Sequence, residues 1–438
     1  MSESALLTGW GRTAPTAASF VGLDALSSPS ARGVIARGLG RAYGDAAQNA
    51  GGQVIDMTSS GRLLEFSAGV VTVEAGMSLG ELIALVLPQG WFVPVTPGTQ
   101  HVTVGGAIAS DVHGKNHHRD GSFSSHVLSI ELLSPTGRHV LEPGSEGFLA
   151  TAGGMGLTGV VTKATLRLLP VESAYVVEDV ERCSDLGDCM ARMAERDDSY
   201  RYSVAWIDCL ARGSRLGRSV LMRGDHAPAD ALPVGTAPLE RSRGLRLPAL
   251  PWAPNGLLRR SSVAAFNELY FRRAPSSERD RVVGLDPFFY PLDAVAGWNR
   301  MYGSRGFLQY QFAVPFGSED ALREALERLS AARVASFLAV LKRFGPGSGM
   351  ISFPMPGWTL ALDIPAGDPE LAGLLDGLDS LVADAGGRVY LSKDSRLRPE
   401  LLGSMYPELD RWREAVRALD PDGVMQSDLS RRVGLLAA

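Results

Sequence analysis

The sequence predicts an α+β protein of two domains, in which the second domain interrupts the first. Its 438 residues exceed the usual domain length of about 100 to 200 residues. Residues up to about 170 read as short strands and glycine-rich loops, whereas residues 174–387 combine longer helices and strands. The segment 388–438 returns to the pattern of the start, so we expect it to complete the domain formed by residues 1–173.

Local patterns justify the elements of the first domain. GVIARGLGRAYGD is a β-branched strand that enters a glycine loop, and VVTVEAG reads as another strand. The segment SLGELIALVLPQG predicts a helix, because Ser78 and Glu81 have the spacing of a capping box. VLSIELLSPTGRHVLEP then predicts a hairpin around its Pro-Thr-Gly turn.

The inserted region has a different pattern. We expect helices near residues 183–197 and 318–333, between strands such as FLQYQFAVPF and WTLALDIP. Residues 233–262 are rich in proline and arginine and predict a long mobile loop. A helix around PELDRWREAVRAL follows near the end of the chain.

Composition excludes several classes of protein. The chain is 45% hydrophobic and 21% charged, as a globular core requires, and its net charge of -5 offers nothing that recruits nucleic acid. The odd set Cys183, Cys189 and Cys209 indicates no disulfide framework. The N-terminal segment has no signal-peptide pattern and no run of 18 apolar residues occurs, so we expect cytoplasmic folding without a membrane-spanning helix.

Three glycine-rich segments could hold a cofactor. Residues 154–159 fit GxGxxG, but a strand follows them instead of a helix, so a dinucleotide-binding βαβ unit is not indicated. RGLGRAYGD (37–45) offers several unobstructed backbone N–H groups, which suit a pyrophosphate. PGTQHVTVGGAIASDVHGKNHH (97–118) offers a second such loop. Either loop taken alone could equally be an ordinary tight turn or a cofactor loop. The occurrence of both loops in this order favours a cofactor.

These loops resemble those of a known family. ARGLGRAYGD, PGTQHVTVGGAIASDVHGKNHH and GGMGLTGVV are similar to the FAD-binding domain of vanillyl-alcohol-oxidase-type flavoproteins. The similarity extends over nearly the whole chain through LTGWGRTAP, WNRMYGSRGFLQYQF, ISFPMPGW, VYLSKDSR and SDLSRR. In detail the chain looks like the branch that oxidises the ribose of a polyprenyl-phosphate sugar. The resemblance implies an FAD-binding domain interrupted by an α+β substrate domain.

The resemblance also implies which residues bind FAD. The loops at 37–45 and 97–116 would wrap the cofactor, and residues 154–161 would close over its other side. The expected contacts are Arg37, Gly38, Leu39, Gly40, Arg41, Tyr43, Gly44, Gly98, Thr99, Thr103, Gly105, Gly106, Ala109, Ser110, Val112, His113, Gly114, Asn116, His117, Gly156, Gly159, Val161 and Tyr390. Many relatives attach flavin covalently through a histidine where Arg41 stands here, so we expect non-covalent FAD.

The chemistry needs a group that takes the hydroxyl proton and a positive charge near the reduced flavin. Only four of the 43 basic residues are lysines, and burial lowers the pKa of lysine more readily than that of arginine. Lys163 reads as part of a solvated strand face, whereas Lys115, Lys342 and Lys393 lie in the motifs. The resemblance places Lys393 beside the flavin as a catalytic residue and makes His113 the candidate proton acceptor.

The segment HGKNHH holds three of the seven histidines. His113 and His117 are four residues apart, a spacing that zinc sites use, but the glutamate of HExxH is absent and no cysteine is near. We therefore expect no metal. Histidines that are hydrogen-bonded for structural reasons are the alternative interpretation.

Further residues are expected to contact the substrate. Gln309 and Gln311 alternate on one strand, so both side chains point to one face and could bond ribose hydroxyls. Lys342 could meet a phosphate as a point charge. The resemblance completes the substrate set with Lys115, Trp206, Phe344, Thr359, Ala361 and Lys393. For the aromatic residues, core packing is the alternative.

Several pocket positions depart from the relatives. Ala361 aligns with a cysteine that nitro-aromatic inhibitors attack, Thr359 with an asparagine and Val204 with a serine. Phe289 and Tyr290 stand where relatives have Tyr-His. These differences hardly affect FAD binding, but they permit a different substrate.

The expected activity is FAD-dependent oxidation of the ribose 2′-hydroxyl to a 2′-keto sugar. The resemblance implies that an NAD(P)H-dependent short-chain reductase then completes the epimerisation, which supplies arabinose to an actinobacterial cell wall. An oxidase of a soluble sugar, nucleoside or alditol is one alternative, and a flavin-binding protein without turnover is another.

The loop at 233–262 favours peripheral membrane contact. Its basic and apolar residues suit anionic headgroups and a prenyl chain, although a solvated linker is an equal alternative. These residues are Arg241, Arg243, Arg246, Arg259, Arg260, Leu245, Leu247, Leu250, Trp252, Leu257 and Leu258. The resemblance adds that related enzymes have been assigned to the periplasmic side.

Overall fold

The computed structural model describes residues 4–241, 248 and 251–436. The strands in chain order are β1 (Ser4–Leu7), β2 (Thr16–Val21), β3 (Val34–Arg37), β4 (Gln53–Asp56), β5 (Leu63–Ser67), β6 (Val70–Glu74), β7 (Trp91–Phe92), β8 (Val127–Ser134), β9 (Gly137–Leu141), β10 (Val160–Arg167), β11 (Leu169–Pro170), β12 (Tyr175–Cys183), β13 (Tyr202–Ile207), β14 (Ser219–His226), β15 (Ser277–Gly284), β16 (Phe307–Pro315), β17 (Ala339–Phe344), β18 (Gly357–Pro365) and β19 (Arg388–Val389).

The helices in chain order are α1 (Leu79–Val86), α2 (Val104–Ala109), α3 (His117–Asp120), α4 (Glu146–Thr151), α5 (Leu186–Arg196), α6 (Arg260–Arg273), α7 (Leu285–Phe289), α8 (Glu319–Ala331), α9 (Leu371–Asp384), α10 (Leu402–Met405), α11 (Leu409–Leu419) and α12 (Asp428–Val433). Mixed helices and strands confirm the α+β class. Within the described residues, no helix combines the length and the apolar character that crossing a bilayer requires.

Two sheets in the first 170 residues support the glycine loops. One has the order β1-β2-β4-β3, with β4 parallel to both β2 and β3, and the loop at 37–45 leaves the end of β3. The other is antiparallel, in the order β5-β6-β10-β8-β9, and includes the expected hairpin of β8 and β9. The predicted capping box starts α1, since Glu81 N donates to Ser78 Oγ over 3.1 Å and Ser78 N donates to Glu81 Oε2 over 2.8 Å.

The middle of the chain forms one large antiparallel sheet, in the order β15-β12-β14-β13-β17-β18-β16-β19. Helices α5, α8 and α9 bury their apolar residues in the core beside it, including Cys189, Leu326 and Leu378. The expected helices near 183–197 and 318–333 are α5 and α8. Residues such as Gln311 and Ala361 lie on the sheet where it borders the cavity described below.

The last part of the chain crosses from the large sheet back to the first sheet. β19 pairs with β16, and further on Val34 N donates to Val424 O while Gln426 N donates to Val34 O, both over 2.9 Å. The Arg432 guanidinium pairs with Asp45 beside the first glycine loop. This path carries residues 390–396 between the two parts of the molecule. The expected boundaries, 1–173, 174–387 and 388–438, stay a prediction.

The segment expected as a loop at 233–262 ends earlier than predicted, because α6 begins at Arg260. Arg241 points into the protein, where its guanidinium donates to Gln100 Oε1 over 2.8 Å and pairs with Asp286. It is therefore not free for headgroups. Five other residues of the predicted membrane set lie outside the described residues: Arg243, Arg246, Leu245, Leu247 and Leu250.

Candidate active site

A cavity of about 530 Å³ lies where the two glycine loops meet the large sheet. Its volume falls within the roughly 300 to 1,000 Å³ typical of ligand and cofactor sites. The loops at 37–43 and 97–115 form one part of its wall, and residues of β13, β16 and β17 form another. The two loops singled out from the sequence therefore share one site.

The first glycine loop is fixed by its own arginine. Arg37 Nη1 donates to Ala47 O over 2.9 Å, and its Nη2 donates to Thr8 O over 2.7 Å. Gly40 has a φ of +63°, a conformation that favours glycine. A Cβ at Gly38 would lie only 2.3 Å from Thr103 Oγ1, so the loop packs directly against the second one.

The second loop leaves open space at a glycine. Thr103 caps α2 by accepting from Gly106 N over 3.2 Å, which fixes the loop around it. Gly98 lines the cavity, yet a Cβ there would meet no protein atom within 4 Å. Packing of the protein does not explain the glycine, whereas a large flat group close to the backbone would. These loops fit FAD.

Residues 155–161 close another side of the cavity. Met155 N donates to Ala109 O over 2.9 Å, which ties this turn to the end of α2. Met155 and Gly156 both have positive φ, at +54° and +77°. Together with Gly159 and Val161 they line the cavity, as the expected cofactor contacts at Gly156, Gly159 and Val161 require.

Most predicted cofactor residues line the cavity, but Gly44, Asn116 and His117 do not. A Cβ at Gly44 would lie 1.9 Å from Asp394 O, so that glycine permits packing against the return segment. Asn116 Nδ2 donates to Pro94 O over 2.8 Å, and His117 Nδ1 accepts from Gly345 N over 3.0 Å. All three residues therefore lie behind the cavity wall and support it.

His113 is buried at the centre of the site, and both ring nitrogens have partners. Nδ1 lies 3.3 Å from Lys342 Nζ, and Nε2 lies 3.0 Å from Gln311 Nε2. Burial, followed by the positive charge of Lys342, holds the pKa of His113 well below 6.5. The imidazole is therefore neutral near neutral pH. Phe344 packs edge-on against its ring at 4.7 Å.

Three lysines line the same cavity, and each is partly exposed to it. Lys115 Nζ donates to Phe288 O over 2.5 Å and lies 4.1 Å from the centre of that ring. Burial lowers the pKa of Lys115 to about 8 and the pKa of Lys342 to about 7, where the charge of Lys115 adds to the effect. Lys393 Nζ lies 3.8 Å from the centre of the Tyr43 ring, and burial lowers its pKa to about 7.

A buried carboxyl group, Asp363, was missed by the sequence reasoning. Gln309 Nε2 donates to its Oδ1 over 2.5 Å, while Oδ2 has no hydrogen-bond partner within the described part of the chain. Burial raises its pKa to about 7, and Lys393 opposes that rise. Strand alternation was the available signal, because Asp363 follows Ala361 by two residues and pairs with Gln309 across the sheet.

The predicted substrate residues occupy two layers. Trp206, Gln309, Gln311 and Ala361 line the cavity, as do the departing positions Val204 and Phe289. Thr359 lies behind them, where it accepts from Gln311 Nε2 over 3.2 Å and donates to Phe312 O over 2.8 Å. Phe344 lies behind His113, and Tyr290 reaches Thr96 Oγ1 over 2.8 Å.

The cavity lining carries more positive than negative charge. Its cations are Arg37, Arg41, Lys115, Lys342 and Lys393, and its carboxylate is Asp293. Asp293 already accepts from Thr99 Oγ1 over 2.8 Å and from Gln100 N over 2.9 Å. The lining therefore suits anionic ligands. Among the described residues, no group of three or more His, Cys, Asp or Glu side chains is placed to hold a metal ion.

Two glycine loops with space for a flat cofactor lie beside three lysines and a neutral histidine. With the family match and the relatives given next, this site is that of an FAD-dependent oxidoreductase that acts on a CH–OH group. The family described as FAD binding domain matches residues 27–141, which contain both loops. The cofactor is FAD.

Relatives that match nearly the whole chain identify the family more closely than the FAD-binding domain does. The chain is 43% identical to decaprenylphosphoryl-beta-D-ribose oxidase of Mycolicibacterium smegmatis, over 98% of this chain and 97% of the relative. It is 45% identical to an uncharacterized protein of Streptomyces coelicolor, over 82% of this chain and 100% of the relative. L-gulono-1,4-lactone dehydrogenase of Mycobacterium tuberculosis is 22% identical over 94% of this chain and 92% of the relative. The chain belongs to the decaprenylphosphoryl-β-D-ribose oxidase family.

Proposed function

We propose that the protein oxidises the ribose 2′-hydroxyl of a polyprenyl-phosphate ribose, such as decaprenylphosphoryl-β-D-ribose, to the 2′-keto sugar. The observation that carries the proposal is the cluster of Lys115, Lys342 and Lys393 around one neutral histidine in the cavity. With Lys342 uncharged, Lys115 still brings a positive charge to the cavity lining, which a neutral substrate would leave without a partner and a phosphate sugar would balance. Similarity over nearly the whole chain to an oxidase named for that substrate supports the same conclusion.

FAD, when bound, supplies the acceptor for the hydride that leaves the carbinol carbon. The protein has to take the hydroxyl proton, and we assign that role to Lys342. His113, the acceptor expected from the sequence, has both ring nitrogens engaged, whereas Lys342 Nζ lines the cavity with a single side-chain partner. His113 then acts through Lys342 as a positioning residue.

Hydrogen-bond directions support this assignment. Thr359 uses its only proton on Phe312 O, so it accepts from Gln311 Nε2. The same amide nitrogen donates to His113 Nε2, which leaves the imidazole proton on Nδ1. That proton points at Lys342 Nζ, and an amine can accept it only when it is uncharged. Because an amine has one lone pair, the substrate hydroxyl has to displace this bond before Lys342 can take its proton. The arrangement thus favours Lys342 as a free base.

Lys393 and Asp363 form the second charged element of the site. Lys393 is the cation closest to the Tyr43 ring, and the buried carboxyl of Asp363 raises its pKa against the larger effect of burial. We propose that Lys393 polarises the substrate hydroxyl and balances the charge of reduced flavin. Gln309, held by Asp363, presents its remaining amide groups to the sugar.

Lys115 is the candidate phosphate contact. Its ammonium donates to Phe288 O and has further N–H groups for a ligand. A compact point charge suits a phosphodiester oxygen. We further propose that FAD is held without a covalent bond, because Arg41 occupies the position of the attaching histidine and stacks on Trp10 at 4.1 Å.

We also propose that an NAD(P)H-dependent short-chain reductase receives the keto sugar.

A further proposal is that the protein contacts the membrane through the described part of the 233–262 segment. Trp252, Leu257, Arg259 and Arg260 are exposed there. Deleting residues 251–259 should weaken association with liposomes that contain anionic lipid. Binding equal to that of the intact protein would remove the membrane part of the proposal.

Anaerobic addition of farnesyl-phosphoryl-β-D-ribose to the purified yellow protein tests the function. Bleaching of the flavin absorbance is expected, and the Lys393→Met variant should bleach far more slowly. A flavin spectrum that does not bleach would move the search to soluble sugars, nucleosides or alditols, which the changes at Ala361, Val204 and Thr359 permit. Protein without flavin would contradict the whole proposal.

A further inference from the structure

The outer surface of α6 is unusually apolar for an exposed helix. Phe266, Leu269 and Tyr270 lie at spacings of three and four residues, so their side chains share one face. Their exposed fractions are 44%, 55% and 36%. Phe266 lies close to Tyr270, with 5.9 Å between ring centres, and meets Phe337 edge-on at 5.8 Å. The three side chains and Phe337 form the α6 apolar face.

Polar bonds on the opposite side prevent α6 from turning this face inward. Asn267 is buried and its Nδ2 donates to Asp208 Oδ1 over 2.8 Å. Glu268 pairs with Arg218 over 2.6 Å, and Arg218 is itself buried against Asp208. A rotation of the helix would break the Asn267–Asp208 and Glu268–Arg218 bonds, which lie on the side of α6 that packs on the protein. The apolar residues therefore stay outside.

The α6 apolar face is continuous with the reaction cavity. Tyr270 packs on Trp206, with 4.6 Å between ring centres, and both side chains line the cavity. Trp206 is fixed because its Nε1 donates to Phe337 O over 2.9 Å. Beyond these two aromatic residues the lining continues through Met222, Leu338 and Val340.

Strand register connects this apolar wall to the lysine cluster. Trp206 and Val340 are partners on neighbouring strands, so they lie side by side on one face of the large sheet. Val340 and Lys342 are two residues apart on β17 and point the same way, about 7 Å from each other. A ligand can thus hold its charged and sugar groups at the lysines while an attached hydrocarbon lies on Trp206 and Tyr270.

We infer that the α6 apolar face and the wall formed by Trp206, Leu338 and Val340 bind the prenyl chain of the substrate. This inference rests on the proposed function. The wall begins inside the reaction cavity, which favours a chain attached to the reacting sugar over a second protein. Each buried CH₂ group contributes about fourfold to affinity, so even a farnesyl chain should gain strongly from this surface.

Two substrates separate the prenyl chain from the headgroup. Farnesyl-phosphoryl-β-D-ribose and ethyl-phosphoryl-β-D-ribose carry the same sugar phosphate, and the concentration dependence of anaerobic flavin reduction gives a Kd for each. In the wild type the ethyl compound should bind at least about 100-fold more weakly. The double variant Phe266→Ser, Leu269→Ser should reduce that ratio about tenfold or more. Leu85→Ser, which changes an equally exposed leucine on α1, should leave the ratio unchanged.

A labelling experiment tests whether the prenyl chain reaches the α6 apolar face while most of that face is kept intact. The three cysteines of the chain are buried, so a cysteine placed by Leu269→Cys would take an environment-sensitive fluorophore selectively. The farnesyl compound should shift its emission and the ethyl compound should not.

An unchanged Kd ratio in the double variant, an equal loss in Leu85→Ser, or an emission that ignores the farnesyl chain would overturn the inference. Equal affinity of the wild type for both compounds would overturn it and leave the proposed function standing. Failure of both compounds to reduce wild-type flavin would overturn the proposed function together with the inference.

Discussion

The proton-acceptor role of Lys342 has a measurable pH dependence. A base has to be uncharged to take the hydroxyl proton, and burial puts the pKa of Lys342 at about 7. Roughly one-tenth of the molecules carry the free amine at pH 6 and nine-tenths at pH 8, so the rate of flavin reduction should rise about tenfold over this range. His113 as the acceptor would give no such rise, because its pKa lies well below 6.5.

Stopped-flow reduction under anaerobic conditions, at limiting substrate concentration and across pH 5.5 to 9, measures this profile, because the rate then reports the pKa values of the unliganded protein. Lys342→Met should lower the rate by roughly 10² to 10⁴ and remove the rise near pH 7. Lys342→Arg should lose the activity as well, since a guanidinium does not release its proton in this range. Lys163→Met, at a partly exposed position of β10 where the lysine pairs with Glu131, is the matched control.

Other titrating groups lie in or beside the same cavity and need to be separated from Lys342. Lys393 and Asp363 both have a pKa of about 7, and Lys115 has one of about 8. Any pH dependence left in Lys342→Met belongs to them, and Asp363→Asn identifies the contribution of the coupled pair. A wild-type rate that is flat from pH 6 to 8, or a rise near pH 7 that survives in Lys342→Met, would refute the assignment.

Further predictions concern the cofactor and the pocket. Lys393→Met should keep the yellow flavin but lose at least about 100-fold in reduction rate; substrate-dependent bleaching at the wild-type rate would exclude its role. Gly98→Val should weaken FAD binding at least tenfold, because a side chain at residue 98 would occupy cavity space. It should not lower the thermal midpoint of the apoprotein, because the added Cβ meets no protein atom. Gly373→Ala, at another position where a Cβ meets no protein atom, is the control for the FAD titration. Acid precipitation should release all FAD into the supernatant, because Arg41 stands where relatives have the histidine that attaches flavin. Flavin that stays with the pellet would contradict non-covalent binding. Ala361→Cys should create a thiol on the cavity lining that a nitro-aromatic compound modifies during turnover, which intact-mass measurement detects, whereas the wild type should gain no mass.

Local sequence patterns were sufficient for many of the elements, whereas most residues of the cavity wall were expected only from the family resemblance. The capping box at Ser78, the helices α5 and α8 and the two glycine loops follow from short-range chemistry that the chain carries in consecutive residues. The loops could be expected to meet only through the family resemblance, because no local pattern brings residues 37–43 and 97–115 together.

Residues that act from behind the wall could not be distinguished from those that line it. Phe344 and Thr359 were expected in the substrate set, yet both lie one layer back, at His113 and Gln311. Asp363 was overlooked because a carboxylate in a strand usually faces solvent, whereas the fold buries this side chain completely beside Gln309. The pKa of each lysine likewise depends on burial, which sequence spacing does not measure.

After β19 the chain crosses back from the large sheet to the first sheet, and this late crossing has a consequence for biosynthesis. The three cofactor segments, 37–45, 97–116 and 154–161, are complete once about 160 residues have been made. Tyr390 and Lys393 leave the ribosome more than 200 residues later, and Tyr43 N donates a hydrogen bond to Ser392 O in the finished fold. A partly synthesised or C-terminally clipped chain would therefore hold the cofactor loops without residues 390–394, where Tyr390 lines the cavity and Asp394 packs against Gly44 of the first loop. Tight retention of flavin would then report that the whole chain has been made and folded, and the yellow colour of a preparation would measure its intact fraction.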